Sequence, residues 1–242
     1  MSIIVIQNYN FLISASLLSA VLILLLRPVA IYLSFVDNPN QRKAHLGQVP
    51  ITGGASIFLA SVLVTLVFYE NFSFDHIIWL ACSSLMLVLG IIDDKVDLSA
   101  STKIIIQIAI TSIFVAATGH TVTNLGSPFG FSGTVELGSL SIIFTLFAIV
   151  GLTNAINMID GCDGLASSLV IISLSGLLIF GVEGLSDTTR NFLLVVLSSV
   201  IVFLFFNFSN SKSLKTFLGD GGSLFLGFIL ATSLVEFQVS IW

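Results

Sequence analysis

The sequence predicts an all-α integral membrane protein. It reads as a bundle of about eight transmembrane helices, with both termini outside and the polar loops in the cytoplasm. Three observations carry that expectation. Only 9% of the 242 residues are charged, against roughly 25% in soluble domains. Hydrophobic residues make up 56% and mean hydropathy is +1.10, more apolar surface than a soluble domain of this size can withdraw from water. Apolar runs long enough for a hydrocarbon layer of about 30 Å recur along the whole chain.

Taken in order, the runs lie near 11–31, 53–69, 77–92, 103–119, 139–156, 165–183, 190–208 and 220–239. No Lys or Arg precedes Arg27 and no A-x-A site follows the first run, so it reads as a retained span, not a cleaved signal peptide. Alternate breaks (27–52, 93–103, 154–164, 209–217) hold Arg27, Arg42, Lys43, Lys95, Lys103, Lys212 and Lys215, whereas the opposite side holds only Arg190. Seven cations against one place the first set in the cytoplasm. The segment 119–138, rich in Gly, Ser and Thr, reads as a small interfacial hairpin on the outer side. There is no internal repeat or composition shift, so residues 1–242 read as one polytopic domain.

Composition also excludes function classes. A net charge of −5 offers no phosphate-neutralising surface, so nucleic acid is not an expected partner. Cys82 and Cys162 make neither a disulfide framework nor a zinc site.

The acidic residues mark the candidate site. Asp37, Asp93, Asp94, Asp97, Asp160, Asp163 and Asp220 all fall on the side read as cytoplasmic. Charges at membrane depth are costly and usually functional. In GIIDDKVDLSASTK, Asp93 and Asp94 end an apolar run, and a continuing helix would bring Asp97 onto their face. Carboxylates this close call for a cation, and Mg²⁺ is the usual one with phosphate substrates. In NAINMIDGCDGLA, Asn154, Asn157, Asp160 and Asp163 repeat every three residues. One straight helix cannot aim all four at a point, so Gly161 and Gly164 are expected to turn the chain. In FLGDGGSLFLG, Asp220 sits among Gly219, Gly221 and Gly222, with Ser223 opening the last run. That pattern suits backbone N–H groups presented to a phosphate. In VDNPNQRKAHLGQVPITGG, Arg42, Lys43 and His45 form the dense cationic stretch. The plain alternatives are a solvated loop, helix caps and the positive-inside signal. Together the four segments carry what metal-assisted phosphoryl transfer needs, and the membrane setting points to a lipid phosphate as one reactant.

These motifs (RKAH with PITGG, GIIDDKVD, NAINMIDGCDGLA and LGDGGS, in that order) resemble those of the polyprenyl-phosphate N-acetylhexosamine-1-phosphate transferases. Within them, the bacterial undecaprenyl-phosphate N-acetylglucosamine-1-phosphate transferases are the nearer likeness. The resemblance implies that undecaprenyl phosphate attacks the β-phosphorus of a UDP-sugar, in a bacterial cytoplasmic (inner) membrane, with Mg²⁺ or alternatively Mn²⁺. By motif, Asp93, Asp94, Asp160 and Asp163 would be catalytic, and Asp220 and Asn157 would hold the metal. Arg42, Lys43, His45, Asn154, Gly219 and Ser223 would bind substrate. The implied partners are a UDP-N-acetylhexosamine, undecaprenyl phosphate and membrane lipid, with a homodimer left open. Relatives of this kind carry a further His-rich cytoplasmic loop that these 242 residues do not contain, so a short or inactive member is one alternative. DDKVD also matches the D-D-x-x-D of Mg²⁺-dependent prenyltransferases, but no second motif of that form follows.

Overall fold

The computed structural model describes residues 2–37, 47–69, 72–127, 133–181 and 184–241. Among them are eight α-helices: α1 (Ser2–Tyr32), α2 (Gly53–Phe68), α3 (Phe74–Val96), α4 (Ala100–Thr118), α5 (Ser141–Ile159), α6 (Leu165–Phe180), α7 (Asp187–Asn207) and α8 (Gly219–Ile241). Each overlaps one of the eight apolar runs. Six are long and apolar enough to cross a membrane: α1, α3, α4, α5, α7 and α8. The protein is therefore a mostly helical, multi-pass membrane protein. α2 and α6 have 16 residues each, about 24 Å of helix.

Helix ends follow local chemistry. Ser73, Ser99 and Ser186 cap α3, α4 and α7, each hydroxyl accepting from the backbone N–H three residues on. α3 stops at Val96 because Asp97 turns left-handed (φ 52°). Asp97 therefore leaves the face it would have shared with Asp93, and it is exposed. Gly164 (φ 71°) makes the turn into α6 that the sequence assigned to it. The hairpin expected within 119–138 is present as an Asn124–Glu136 bridge with flanking backbone bonds, residues 128–132 lying outside the description.

α8 is the hub, packed most extensively on α3 and α5 and further on α2 and α6. Leu224 through Leu230, Gly227 aside, are at most 2% exposed, as expected of a helix apolar on every side. Rings interlock around it, with Phe225 edge-on to Phe58 at 5.3 Å and Phe228 edge-on to Phe114 at 5.8 Å. Outward faces carry Phe147, Phe180 and Phe205 at more than 75% exposure, apolar surface that suits lipid tails.

Glycine brings three backbones together at one end of the bundle. A Cβ on Gly90 of α3 would lie 2.3 Å from the Asp220 carbonyl, and one on Gly54 of α2 would lie 2.3 Å from Gly222 Cα. Small residues permit such approaches between membrane helices. Gly90→Ala is accordingly expected to push α3 off α8 and cost about 1–3 kcal/mol, the range for an overpacked core. The check is a melting curve of the variant in detergent.

A two-stranded antiparallel ribbon, β1 (Val36–Asp37) with β2 (Val49–Pro50), follows α1. Ile51 bridges Phe217 in parallel, and the Gly53 and Gly54 N–H groups donate to the Phe217 and Leu218 carbonyls at 3.0 Å. The chain before α2 and the chain before α8 are thereby laced together.

Candidate active site at the aspartate-rich end

The C-terminal ends of α1, α3, α5 and α7 and the N-terminal ends of α2, α4, α6 and α8 meet at this end, around a cavity of about 600 Å³. Asp37, Asp94, Asp160, Asp163, Gly219 and Asp220 line it. Its base is the start of α8. Asp94 Oδ1 accepts from the Asp220 N–H at 3.0 Å and Oδ2 from the Gly221 N–H at 3.3 Å. A carboxylate from α3 thus caps the positive end of α8, and the amides that the glycine pattern offered to a phosphate are held by Asp94 instead. Gly219 (φ 75°) makes this possible, since a Cβ there would lie 2.7 Å from Asp94 Oδ2.

The Asp220 side chain is held from the other flank. Asn157 Nδ2 of α5 donates to Asp220 Oδ1 and to Ser223 Oγ, both at 2.8 Å. The two residues read as metal ligands, together with Ser223, are therefore one hydrogen-bonded group. The Asp93 carboxyl interacts electrostatically with the same group, and a proton or cation between two such carboxylates relieves their repulsion. Asp93 itself is buried, with Lys103 Nζ 2.7 Å from Oδ2 and the Leu98 N–H 2.9 Å from Oδ1.

The three-residue repeat divides as its geometry requires. Asn154 exchanges hydrogen bonds with the buried Gln107 of α4, which ties α5 to α4. Asp160 lies just past the end of α5, on the cavity wall. Asp163 pairs with Lys215 Nζ at 2.5 Å. Arg42, Lys43 and His45 lie outside the described residues. Lys103, Lys212 and Lys215, which entered the sequence reading only as orientation signals, belong to this end. Lys212 and Lys215 line the cavity. His76 and His120 lie at the opposite end, with Glu236, around a smaller cavity of about 350 Å³.

Burial, then the charges of Asp220, Asp94 and Asp163, push the Asp160 carboxyl up to about 8. The sign for stability follows. Folded protein holds a proton that the unfolded chain releases near pH 4, so stability is full below that pH and falls as pH rises through about 8. The melting point of metal-free protein is expected to drop from about pH 6 to pH 9, and Asp160→Asn is expected to flatten that decline.

Crowded carboxylates also bear on metal binding. Among the described residues no three His, Cys, Asp or Glu side chains form a closed cage. Mg²⁺ does not require one, because it keeps waters and takes one or two carboxylates beside substrate phosphates. Hard oxygen donors that repel one another at a cavity wall fit such an ion.

Comparison with known proteins shows the family. The chain matches the model of glycosyl transferase family 4 over residues 76–238. It belongs to that family. Among curated relatives, it is 37% identical over 224 residues to the probable undecaprenyl-phosphate N-acetylglucosaminyl 1-phosphate transferase of Bacillus subtilis (strain 168), covering 90% of this chain and 60% of that protein. It is 31% identical over 214 residues to the undecaprenyl-phosphate alpha-N-acetylglucosaminyl 1-phosphate transferase of Yersinia pestis, covering 88% and 58%. The enzyme of that name from Escherichia coli (strain K12) is 30% identical over 227 residues, covering 93% and 61%. This family member thus spans about three fifths of the length of the curated relatives it matches.

Proposed function

We propose that this chain transfers a sugar 1-phosphate, GlcNAc 1-phosphate in the first instance, from a UDP-sugar to undecaprenyl phosphate. A lipid phosphate oxygen attacks the β-phosphorus, the bond from that phosphorus to the bridging oxygen breaks, and UMP leaves. The product is the lipid-linked diphosphosugar that starts a cell-envelope glycan. The observation that carries the reading is the convergence of α3, α5 and α8 on Asp220, at a cavity wide enough for a nucleotide.

Asp220, Asn157 and Asp160 would hold Mg²⁺, or Mn²⁺ in its place, which supplies charge neutralisation at the diphosphate. Asp94 positions Asp220 by capping α8. Asp93, paired with Lys103, sets the charge beside the Asp220 carboxyl, while Asp163 stands at the cavity wall. Little deprotonation is asked of a phosphate monoester near pH 7, whose second ionisation lies near 6, so the carboxylates serve mainly to place charge. The distribution of Lys and Arg supports an eight-span topology with both termini outside and this site facing the cytoplasm of a bacterial inner membrane.

The test uses purified chain in detergent with UDP-GlcNAc and Mg²⁺. UMP release that requires undecaprenyl phosphate is the expected result. Folded protein that releases no UMP, or releases it equally without the lipid, would contradict the reading.

A further inference from the structure

The chain between α7 and α8 is anchored through its backbone at several points. Arg27, near the end of the apolar helix α1, donates to the carbonyl of Lys215 at 2.6 Å and also to that of Lys212. Asn207 Nδ2 of α7 donates to the Thr216 carbonyl at 3.0 Å. The Thr216 hydroxyl donates to the Pro50 carbonyl at 2.9 Å and lies 2.7 Å from that of Thr52. A guanidinium so close to an apolar span is costly and usually functional. Its fork here serves two carbonyls of one short turn and, among the described residues, no carboxylate.

That anchoring sets where one ammonium stands. Lys215 Nζ lies over the Phe217 ring at 5.6 Å and on Asp163 at the cavity wall. Its pairing with Asp163 is weakly held: the Asp163 side chain is 44% exposed and that of Lys215 21%, and ion pairs in such settings contribute about 0–1 kcal/mol. The backbone is fixed, whereas the charged tip has a partner it gives up at little cost. An anion of higher charge entering the cavity beside Asp163 therefore competes well for it.

The geometry points to Lys215 as a ligand of the donor's diphosphate, moving from Asp163 to phosphate when the nucleotide sugar enters, with Arg27 as the residue that positions it. This assignment rests on the reading of the site as one for a UDP-sugar, and it adds a cation that the basic segment at 42–45 does not supply.

The test is binding of UDP-GlcNAc and of uridine to the purified chain in detergent with Mg²⁺, uridine being followed by displacement. Lys215→Met is expected to weaken UDP-GlcNAc by about 10- to 100-fold, as loss of a charge-assisted hydrogen bond does, and to leave uridine within about twofold. Lys215→Arg is expected to recover most of the loss, and Arg27→Met to raise KM for UDP-GlcNAc with kcat little changed. Unchanged UDP-GlcNAc binding in Lys215→Met, or equal weakening of both ligands, would overturn the assignment. Unvaried protein that binds no UDP-GlcNAc would overturn the site reading and the assignment with it.

Discussion

Asp220→Asn is expected to lower transfer on the order of 10³-fold, the scale seen when one preorganised charge-stabilising group is removed from an active site. The substitution keeps shape. An asparagine oxygen still accepts from Asn157, which holds Asp220 Oδ1 at 2.8 Å, and the backbone N–H still meets Asp94. What disappears is the negative charge that faces the cavity and the Asp93 carboxyl. Because that charge is crowded by other carboxylates, its loss relaxes the folded protein. Activity and stability should separate: transfer collapses while the melting point holds or rises. Assay and melt on the same preparation are the check, and a variant retaining a tenth of the activity would remove Asp220 from the chemistry.

Metal removal is expected to be as severe. EDTA should stop transfer and excess Mg²⁺ should restore it. A readout independent of turnover comes from stability, since an ion that binds the folded state alone raises its melting point with concentration. Unvaried protein at pH 8 should gain several degrees with millimolar Mg²⁺. Asp220→Asn should gain little, having lost a central donor. Equal stabilisation of the two would place the ion elsewhere.

The helices were legible because hydropathy reports burial in lipid or protein directly, and all eight apolar runs became helices. Their sorting was not legible. α8 has the same apolar texture as α4, and only the contacts reveal it as the hub. At the aspartate-rich end, local motifs pointed to Asp94, Asp160, Asp163 and Asp220, which line the cavity, and to Asn157 and Asp93 beside them, since polar residues among apolar spans stand out. Their partners lie far along the chain. Asp94 caps a helix 126 residues away, Asp163 meets Lys215 across 52 residues, and Asn154 meets Gln107 across 47. No local periodicity encodes such pairings. Asp97 departs from expectation for a local reason, because a helix that ends at Val96 does not carry its next turn onto the same face.

The central claim is that sugar and β-phosphate travel together to the lipid. UDP-GlcNAc carrying tritium in the sugar and radiophosphorus in the β-phosphate tests it most directly, with undecaprenyl phosphate, Mg²⁺ and the purified chain. Both labels should enter the lipid fraction in equal amounts, with unlabelled UMP left in water. Tritium in the lipid without radiophosphorus would mean sugar transfer with release of UDP and would contradict the account, as would both labels remaining in water with folded protein.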